Sequence, residues 1–202
     1  MNTGCIKNKT TQTGMSVLPS RSASRVVLIR HTRVDVAPGV CYGRTDVPLA
    51  STFAGEATAA LSLMPWPPSE IWTSPASRCT RLAEHFGISN IRVDPRLLEL
   101  DFGEWENRAW ESFRSPRSEA WALDPMRVRP PGGETGEELH ARVGAARDEI
   151  LSRIAADENG ALRIAIITHA GVIRSWLAHA SGRGLMDFFG ETVPHGSPLA
   201  VA

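Results

Sequence analysis

The chain has 202 residues, enough to bury one hydrophobic core, so a small scaffold held together by disulfides or metal ions is excluded. Its 42% of hydrophobic and 22% of charged residues exclude wholesale disorder and a coiled coil. Basic and acidic residues balance at 22 each, so the whole molecule has no net field that attracts nucleic acid or an anionic membrane. Any anion-binding site must therefore be local.

Residues 1–24 differ in composition from the rest of the chain. They are rich in Ser, Thr, Asn and Gly and hold both lysines, Lys7 and Lys9, while the first carboxylate is Asp35. A segment of this kind buries little apolar surface, so we expect a disordered N-terminal tail over residues 1–24 and a folded domain over residues 25–202. For the tail, a true start at Met15 and an organellar transit peptide stay open.

The redox and targeting signals of the sequence favour the cytoplasm. Cys5, Cys41 and Cys79 are an odd number of cysteines without CxxC spacing, which is typical of a reducing compartment. The sequence shows neither 18 consecutive apolar residues nor the apolar run of a signal peptide in its first 25 positions. We expect a cytoplasmic protein with neither a membrane nor a nucleic-acid partner; its oligomeric state stays open.

Short apolar runs predict five strands. Residues 26–29, Val-Val-Leu-Ile, form a run without polar alternation, which is typical of a strand buried on both faces of a parallel sheet. Later runs predict strands over residues 70–73, 91–93, 162–168 and 198–202.

Helical patterns separate these strands. Helices are predicted over residues 54–63, 77–86, 105–115 and 171–179, with a short one at 185–189. The clearest helix is predicted over residues 134–156, where one apolar face follows a 3.6-residue period through Leu139, Val143, Ala146, Ile150 and Ile154. The alternation of strands and helices predicts a three-layer α/β/α sandwich with a mainly parallel central sheet.

Polar residues follow three of the predicted strands at the point where each strand ends. These are Arg30 and His31 after the first strand, Arg78 shortly after the second, and His169 after the long late run. Each residue alone fits a structural role, but ligand sites of parallel sheets lie outside the carboxyl ends of the strands. Two guanidiniums and two imidazoles at one edge suit a phosphoryl group, because Arg presents a planar fork of donors and neutral imidazole is a nucleophile.

The same residues resemble the signature of a known family. Arg30-His31-Thr32 is similar to the Arg-His-Gly of the histidine phosphatases, the phosphoglycerate mutase-like superfamily. Four further blocks follow in the family's order, and together the blocks relate all of residues 25–202 to this family: GVCYGRTDVPL at 39–49, TSPASR at 73–78, LLELDFGEWE at 97–106 and THAGVIR at 168–174. The resemblance implies the phosphoglycerate mutase-like fold and a phosphatase that needs no metal ion and no cofactor.

Two departures from the family pattern bear on the substrate. Thr32 replaces the usual Gly, and the Asn that mutases carry several residues later is absent from Arg33-Val34-Asp35-Val36-Ala37. This start, with CYGRTDVPL, is most similar to bacterial α-ribazole phosphatases, which act on a nucleotide-like intermediate in the assembly of cobalamin. The resemblance therefore favours α-ribazole 5′-phosphate as substrate. A broad-specificity small-molecule phosphatase and a phosphoglycerate mutase-type transferase stay open as alternatives.

The resemblance also implies residue roles. His31 would attack the phosphorus of a small phosphorylated substrate through one ring nitrogen, while the other donates a hydrogen bond to a backbone carbonyl. Glu99 would protonate the departing alkoxide and then act as base for the water that hydrolyses the phosphohistidine. Arg30, Arg78 and His169 would surround the phosphoryl oxygens, where the transition-state charge is spread. Arg44 and Thr45 of the loop at 39–49 are further phosphate-binding candidates.

Several assignments stay open. Glu99 lies in an acidic stretch, so Asp101 and Glu104 are the other candidates for the proton donor. His195 is expected at the rim of the pocket without a catalytic role. The nearby tryptophans, Trp105, Trp110 and Trp121, are expected in the core or a lid rather than as a base-stacking platform.

Two rival functions come from other classes of protein. One is a phosphate-binding relative without turnover, although all the catalytic positions are filled. The other is a metallohydrolase built on His31 and His169, which neither HxH nor HExxH spacing supports.

Overall fold

A computed structural model of the chain describes residues 24–201. The predicted tail therefore lies outside the described residues except for Ser24. Ser24 is buried, and its hydroxyl lies within hydrogen-bond distance of the carbonyl oxygens of Val26 and Val201. This residue packs between the first and the last strand and belongs to the folded domain, one position before the expected boundary.

A five-stranded sheet forms the centre of the domain, accompanied by a small two-stranded sheet. The strands, in chain order, are β1 (Val26–Arg30), β2 (Val40–Cys41), β3 (Glu70–Thr73), β4 (Ile91–Val93), β5 (Arg108–Ala109), β6 (Ile164–Thr168) and β7 (Pro198–Val201). The central order is β4-β3-β6-β1-β7, and only β7 runs antiparallel to its neighbour. Strands β2 and β5 form the second sheet. The prediction of a mainly parallel central sheet is confirmed.

Helices cover both faces of this sheet. They are α1 (Phe53–Ser62), α2 (Ser77–His85), α3 (Pro116–Leu123), α4 (Gly136–Ala155) and α5 (Ala170–Ser181). Alternate residues of β1 enter two apolar clusters: Val27 and Ile29 pack with α1 and α2, whereas Val26 and Leu28 pack with α4 and α5. The predicted three-layer sandwich is confirmed. Within residues 24–201, no helix combines the length and apolarity needed to cross a membrane.

Helix α4 begins at a reciprocal cap that satisfies its first backbone donors. The Thr135 hydroxyl accepts a hydrogen bond from the Glu138 amide at 3.2 Å, and the Glu138 carboxylate accepts one from the Thr135 amide at 2.9 Å. The predicted apolar face of α4 is buried from Leu139 to Ile154. This face packs in the same cluster as α5, the helix that begins directly after His169.

The helix predicted over residues 105–115 is wrong. The stretch forms two 3₁₀ turns, Gly103–Trp105 and Trp110–Phe113, on either side of β5. Asn107 has a φ of 59°, which no right-handed helix contains, and the two residues after it pair with β2. The large apolar side chains that suggested a helix pack instead into an aromatic cluster.

Helix α3 has no counterpart among the predicted elements. It begins after Ser115, whose hydroxyl accepts a hydrogen bond from the Ser118 amide at 3.2 Å, and Pro116 occupies its first turn. Trp121 is its one buried residue, so its apolar periodicity is too weak to predict a helix. The short helix predicted at 185–189 is present as a 3₁₀ turn, Leu185–Phe188.

Candidate active site

The carboxyl ends of β1 and β6 bring two histidines together. The strands are parallel neighbours, with Arg30 in register with Thr168, so the residues that follow them lie side by side. The ring centroids of His31 and His169 are 5.2 Å apart, and the His31 amide donates to the Thr168 carbonyl at 2.9 Å. The sheet topology thus places the two predicted imidazoles at one site.

One ring nitrogen of His31 is bonded to a carbonyl, and the other has no hydrogen-bond partner among residues 24–201. Its Nδ1 lies 2.7 Å from the Thr32 carbonyl oxygen, which can only accept, so Nδ1 carries the proton and Nε2 keeps its lone pair. The ring is buried, and burial, followed by the positive charge of Arg78, lowers the pKa of His31 well below its usual value. The geometry suits a nitrogen nucleophile at neutral pH.

His169 is fully buried beside this nucleophile. Its Nε2 lies 2.8 Å from the Ser74 hydroxyl, while Nδ1 has no hydrogen-bond partner among residues 24–201. Burial, with the neighbouring His31 and Arg78, lowers the pKa of His169 well below its usual value. Ser74, which follows β3 at the same sheet edge, orients the ring and is a site residue that the sequence analysis did not single out.

Two guanidiniums at the site lack carboxylate partners. Arg78 is fully buried, and its Nη atoms donate to the carbonyl oxygens of Gly43 at 2.7 Å and Thr45 at 2.9 Å. Arg30 donates through Nη1 to the Val193 carbonyl at 2.8 Å. Within residues 24–201 neither arginine forms an ion pair, and the Nε of each is buried without a partner. Buried unpaired positive charge is costly, so this arrangement indicates an anion site.

Glu99 is the carboxylate that faces the two histidines. It lines the same cavity as His31 and His169, and its oxygens accept hydrogen bonds from the Gly171 amide at 3.2 Å and the Leu100 amide at 3.0 Å. A Cβ at Gly171 would overlap the Glu99 carboxylate, so the glycine leaves room for this approach. Glu99 is therefore placed where a leaving group would need a proton.

The other two carboxylates considered from the sequence lie outside this cavity. Asp101 pairs with Arg44 at 3.3 Å and accepts from the Gly103 amide at 2.8 Å, and Glu104 is exposed. Neither Asp101 nor Glu104 lines the cavity that holds the histidines. The geometry favours Glu99 over both.

Arg44 and Thr45, the further phosphate-binding candidates, have side chains bonded to carboxylates, and their contact with phosphate stays a prediction. The Arg44 guanidinium pairs with Glu134 at 3.0 Å and with Asp101, and the Thr45 hydroxyl bonds to the Glu106 carboxylate. Carboxylates from distant parts of the chain therefore occupy both side chains, and neither lines the cavity. The loop acts through its backbone instead, since its carbonyl groups hold the Arg78 guanidinium.

His195 lies closer to the nucleophile than the sequence indicated. Its ring centroid is 5.3 Å from that of His31, in an edge-on arrangement, and its buried Nε2 has no partner among the described residues. The backbone next to it is anchored on β1, because the Gly196 amide donates to the Arg30 carbonyl at 2.9 Å. Burial and then the charge of Arg30 lower the pKa of His195 to about 4. The site thus contains a third neutral imidazole.

A cavity of about 140 Å³ lies at this site, and Arg78 and His195 are not part of its lining. His31, His169, Arg30 and Glu99 supply its polar groups, and its wall includes aromatic side chains, among them Trp110. The cavity combines a neutral nucleophile, a carboxylate and guanidinium donors, which is the equipment for transfer of a phosphoryl group.

Comparison with known proteins decides the family. A family model described as the histidine phosphatase superfamily, branch 1, matches residues 26–198. The chain belongs to the histidine phosphatase superfamily. The sequence-based resemblance and the prediction of a phosphatase are therefore confirmed at the level of this family.

Individual proteins are similar to this chain over most of its length. A protein of Hydrogenobacter thermophilus named "Putative phosphoserine phosphatase 2" is 24% identical over 83% of this chain and 90% of its own length. The α-ribazole phosphatase of Shigella flexneri has a TM-score of 0.75 at 21% identity and covers 85% of this chain and 86% of its own. The Thermus thermophilus protein TTHB049 has a TM-score of 0.64 at 30% identity, with coverages of 87% and 92%.

The two buried neutral histidines predict a specific loss of stability in mild acid. In the unfolded chain both imidazoles take up a proton below the usual histidine pKa of about 6.5, whereas burial opposes this protonation in the folded chain. Their contribution to the free energy of unfolding is therefore fully present above pH 6.5 and is lost as the pH falls below it. Between pH 7.5 and 5.5, His31 and His169 should each lower the free energy of unfolding by about 1.4 kcal/mol. Carboxylates with a lowered pKa, such as Glu70, lose their contribution only at lower pH.

Urea unfolding at pH 7.5 and 5.5 measures this difference. In His169→Gln the pH-dependent loss should be smaller by about 1.4 kcal/mol, because His31 and His195, whose pKa values are also lowered, keep their contributions. An unchanged free energy of unfolding between the two pH values in the unsubstituted chain would show that the histidines are not held neutral.

Proposed function

We propose that the chain is a phosphomonoesterase that works through a phosphohistidine on His31. The observation that carries this proposal is the state of His31, a buried imidazole whose Nδ1 is bonded to the Thr32 carbonyl. Among residues 24–201 its Nε2 has no hydrogen-bond partner, and the guanidiniums beside it form no ion pair. Such an environment favours a neutral nucleophile and an anionic substrate together. A structural histidine would need neither of these features.

The first step transfers the phosphoryl group to the protein. Nε2 of His31 forms a bond to phosphorus as the bond between phosphorus and the ester oxygen breaks, and Glu99 donates its proton to the departing alkoxide. Positive charge on Arg30 and Arg78, and a hydrogen bond from His169, stabilise the phosphoryl oxygens in the transition state. The products of this step are the free alcohol and phosphohistidine.

The second step returns the site to its initial state. Water attacks the phosphorus of the phosphohistidine, Glu99 accepts the proton of that water, and the bond from phosphorus to Nε2 breaks. Inorganic phosphate leaves, and His31 is again a neutral imidazole with its proton on Nδ1. Because the arginines supply the positive charge, the cycle is proposed to need no metal ion and no cofactor.

For the substrate, we favour α-ribazole 5′-phosphate. Its support is the likeness of Arg30-His31-Thr32 and of the loop at 39–49 to α-ribazole phosphatases, together with solved α-ribazole phosphatases among the structural neighbours. Phosphoserine is the second candidate, because the 24% identical relative is named for it. The absence of the mutase-type Asn after β1 disfavours phosphoglycerate as a substrate for transfer.

A substrate panel tests this choice. We expect kcat/KM for α-ribazole 5′-phosphate to exceed that for phosphoserine and for 3-phosphoglycerate by at least about tenfold, with release of inorganic phosphate from each substrate that reacts. A higher kcat/KM for phosphoserine would move the assignment to the second candidate. Transfer of the phosphoryl group between positions of phosphoglycerate without phosphate release would contradict a hydrolase.

Removal of divalent metal ions should leave activity unchanged. Guanidinium and imidazole groups supply the charge that a metallophosphatase takes from its ions. The measurement is kcat/KM for p-nitrophenyl phosphate before and after extended dialysis against EDTA. A loss that added Zn²⁺ or Mg²⁺ restores would instead support a metallohydrolase.

A further inference from the structure

A second, larger cavity adjoins the catalytic one. It has a volume of about 380 Å³, and aromatic side chains form much of its lining: Trp110, Phe113 and Trp121. Trp110 also lines the catalytic cavity, so one residue borders both spaces. A substrate with its phosphate at His31 would reach the second cavity by passing this residue.

The aromatic wall is held in place by its own packing. The Trp110 ring stacks on Trp121 at 5.6 Å between centroids with 24° between planes, and it meets Phe113 at 5.2 Å and Phe102 edge-on at 5.4 Å. Trp121 and Phe113 are buried, whereas Trp110 is partly exposed. A rigid, partly exposed indole presents a flat surface at little conformational cost, which suits stacking with another flat ring.

A polar group at the same place lacks a partner. Trp121 is 9% exposed, and its indole Nε1 is buried with no acceptor among residues 24–201. Indole N–H groups find an acceptor when they are buried, because an unmade hydrogen bond is costly. An acceptor on a bound molecule would satisfy this donor.

The charged residues at the cavity indicate a neutral ligand. Arg114, Glu111 and Glu119 line it, are exposed and carry both signs of charge. A ring of mixed charge attracts neither an anion nor a cation strongly, whereas the aromatic floor favours an apolar face.

We propose that this cavity, the aromatic subsite, binds a flat neutral aromatic or heteroaromatic group in the alcohol part of the phosphate ester. The ring stacks against Trp110, and an acceptor on it takes the Trp121 indole hydrogen. The proposal rests on the phosphatase function, since it makes the aromatic subsite a determinant of substrate choice. It names the recognising residues and extends to every phosphate ester of this shape.

Three synthetic esters test the aromatic subsite: 2-(1-naphthyl)ethyl phosphate, 2-(quinolin-5-yl)ethyl phosphate and propyl phosphate. Saturated carbons separate each ring from the ester oxygen, so the leaving alcohols differ little in acidity and kcat/KM reports recognition. The full chain should prefer both aromatic esters over propyl phosphate by about tenfold. Equal kcat/KM values for the three would overturn the proposal.

Two variants separate the contacts. Ala122 is exposed and lines the subsite, so Ala122→Trp fills the space without removing a buried side chain and should abolish the aromatic preference while propyl phosphate reacts unchanged. Trp121→Phe removes the indole N–H. It should therefore lower kcat/KM for the quinolinyl ester about fivefold relative to kcat/KM for the naphthyl ester. Trp176→Phe is the control: the Trp176 Nε1 is also buried and has no acceptor within the described range 24–201, but Trp176 lines neither cavity. A preference that survives Ala122→Trp would overturn the proposal.

Binding of the product alcohol separates this proposal from the phosphatase function. Ala122→Trp should raise the Kd of 2-(1-naphthyl)ethanol about tenfold, as measured by calorimetry. This increase is expected whether or not any ester is hydrolysed. Binding that responds in this way, without turnover of any ester, would overturn the phosphatase function and support the subsite. If the esters are hydrolysed but Ala122→Trp leaves binding of the alcohol unchanged, the result would support the phosphatase function and overturn the subsite.

Discussion

Replacement of His31 by alanine is expected to lower kcat by a factor on the order of 10⁴ or more on every substrate. His31 lines the cavity with Nδ1 bonded to the Thr32 carbonyl, which leaves Nε2 to attack, and without this imidazole the proposed phosphohistidine cannot form. The measurement is release of inorganic phosphate from p-nitrophenyl phosphate under saturating substrate. Binding of inorganic phosphate should persist, because both guanidiniums remain.

A histidine outside the site provides the control. His85 is exposed on α2 and contacts the Thr58 hydroxyl at 3.2 Å, so His85→Ala should retain full activity. Substantial turnover by His31→Ala, at a level similar to His85→Ala, would remove His31 from the reaction and leave His169 or His195 as the nucleophile to be tested.

Replacement of Glu99 by glutamine should produce a loss that depends on the leaving group. For an alkyl phosphate, whose alkoxide needs a proton in the transition state, kcat should fall by about 10² to 10⁴. For p-nitrophenyl phosphate, whose leaving group needs little help, the loss should be much smaller. The comparison of the two substrates on one variant isolates proton donation from binding.

The neighbouring acidic residues make this prediction specific. Glu104→Gln, at an exposed position outside the cavity, should leave both substrates unaffected. Equal losses on the two substrates in Glu99→Gln would show that Glu99 positions Gly171 or binds substrate and does not donate a proton.

Most of the fold could be predicted because its strands are buried runs without alternation. Strands β1 and β6 are buried along almost their whole length, and the apolar face of α4 repeats at 3.6 residues. The segment from Gly103 to Leu123 could not be predicted in this way. Its aromatic residues mimic a helical pattern, while the Asn107 conformation and the pairing of β5 with β2 depend on contacts with residues far away in sequence.

The polar groups of the candidate site could be predicted because they follow strand ends, where parallel sheets place ligands. Arg30, His31 and His169 come to one edge for this reason. The pairing of Arg44 with Asp101 and Glu134 could not be predicted, since these carboxylates lie on other segments of the chain. His195 is expected at the rim of the pocket, but it follows no predicted parallel strand, so its approach to His31 at 5.3 Å between ring centroids could not be predicted.

The tryptophans show the limit of sequence periodicity in another way. Trp105 and Trp121 are buried, as a core or lid role predicts, but Trp110 is partly exposed between two cavities. Composition cannot distinguish a core indole from one that faces a ligand. The structure distinguishes them, because Phe102 and Phe113 pack against Trp110 and leave it partly exposed.

Direct trapping of the phosphorylated intermediate tests the central claim most sharply. The protein is mixed with p-nitrophenyl phosphate labelled in its phosphate and quenched within one turnover, and the labelled peptide is sequenced by mass spectrometry. We predict label on His31, stable in alkali and lost in acid, because a phosphoramidate hydrolyses once its nitrogen is protonated. Label on any other residue, or turnover with no covalent label at any quench time, would contradict a mechanism through phosphohistidine at His31.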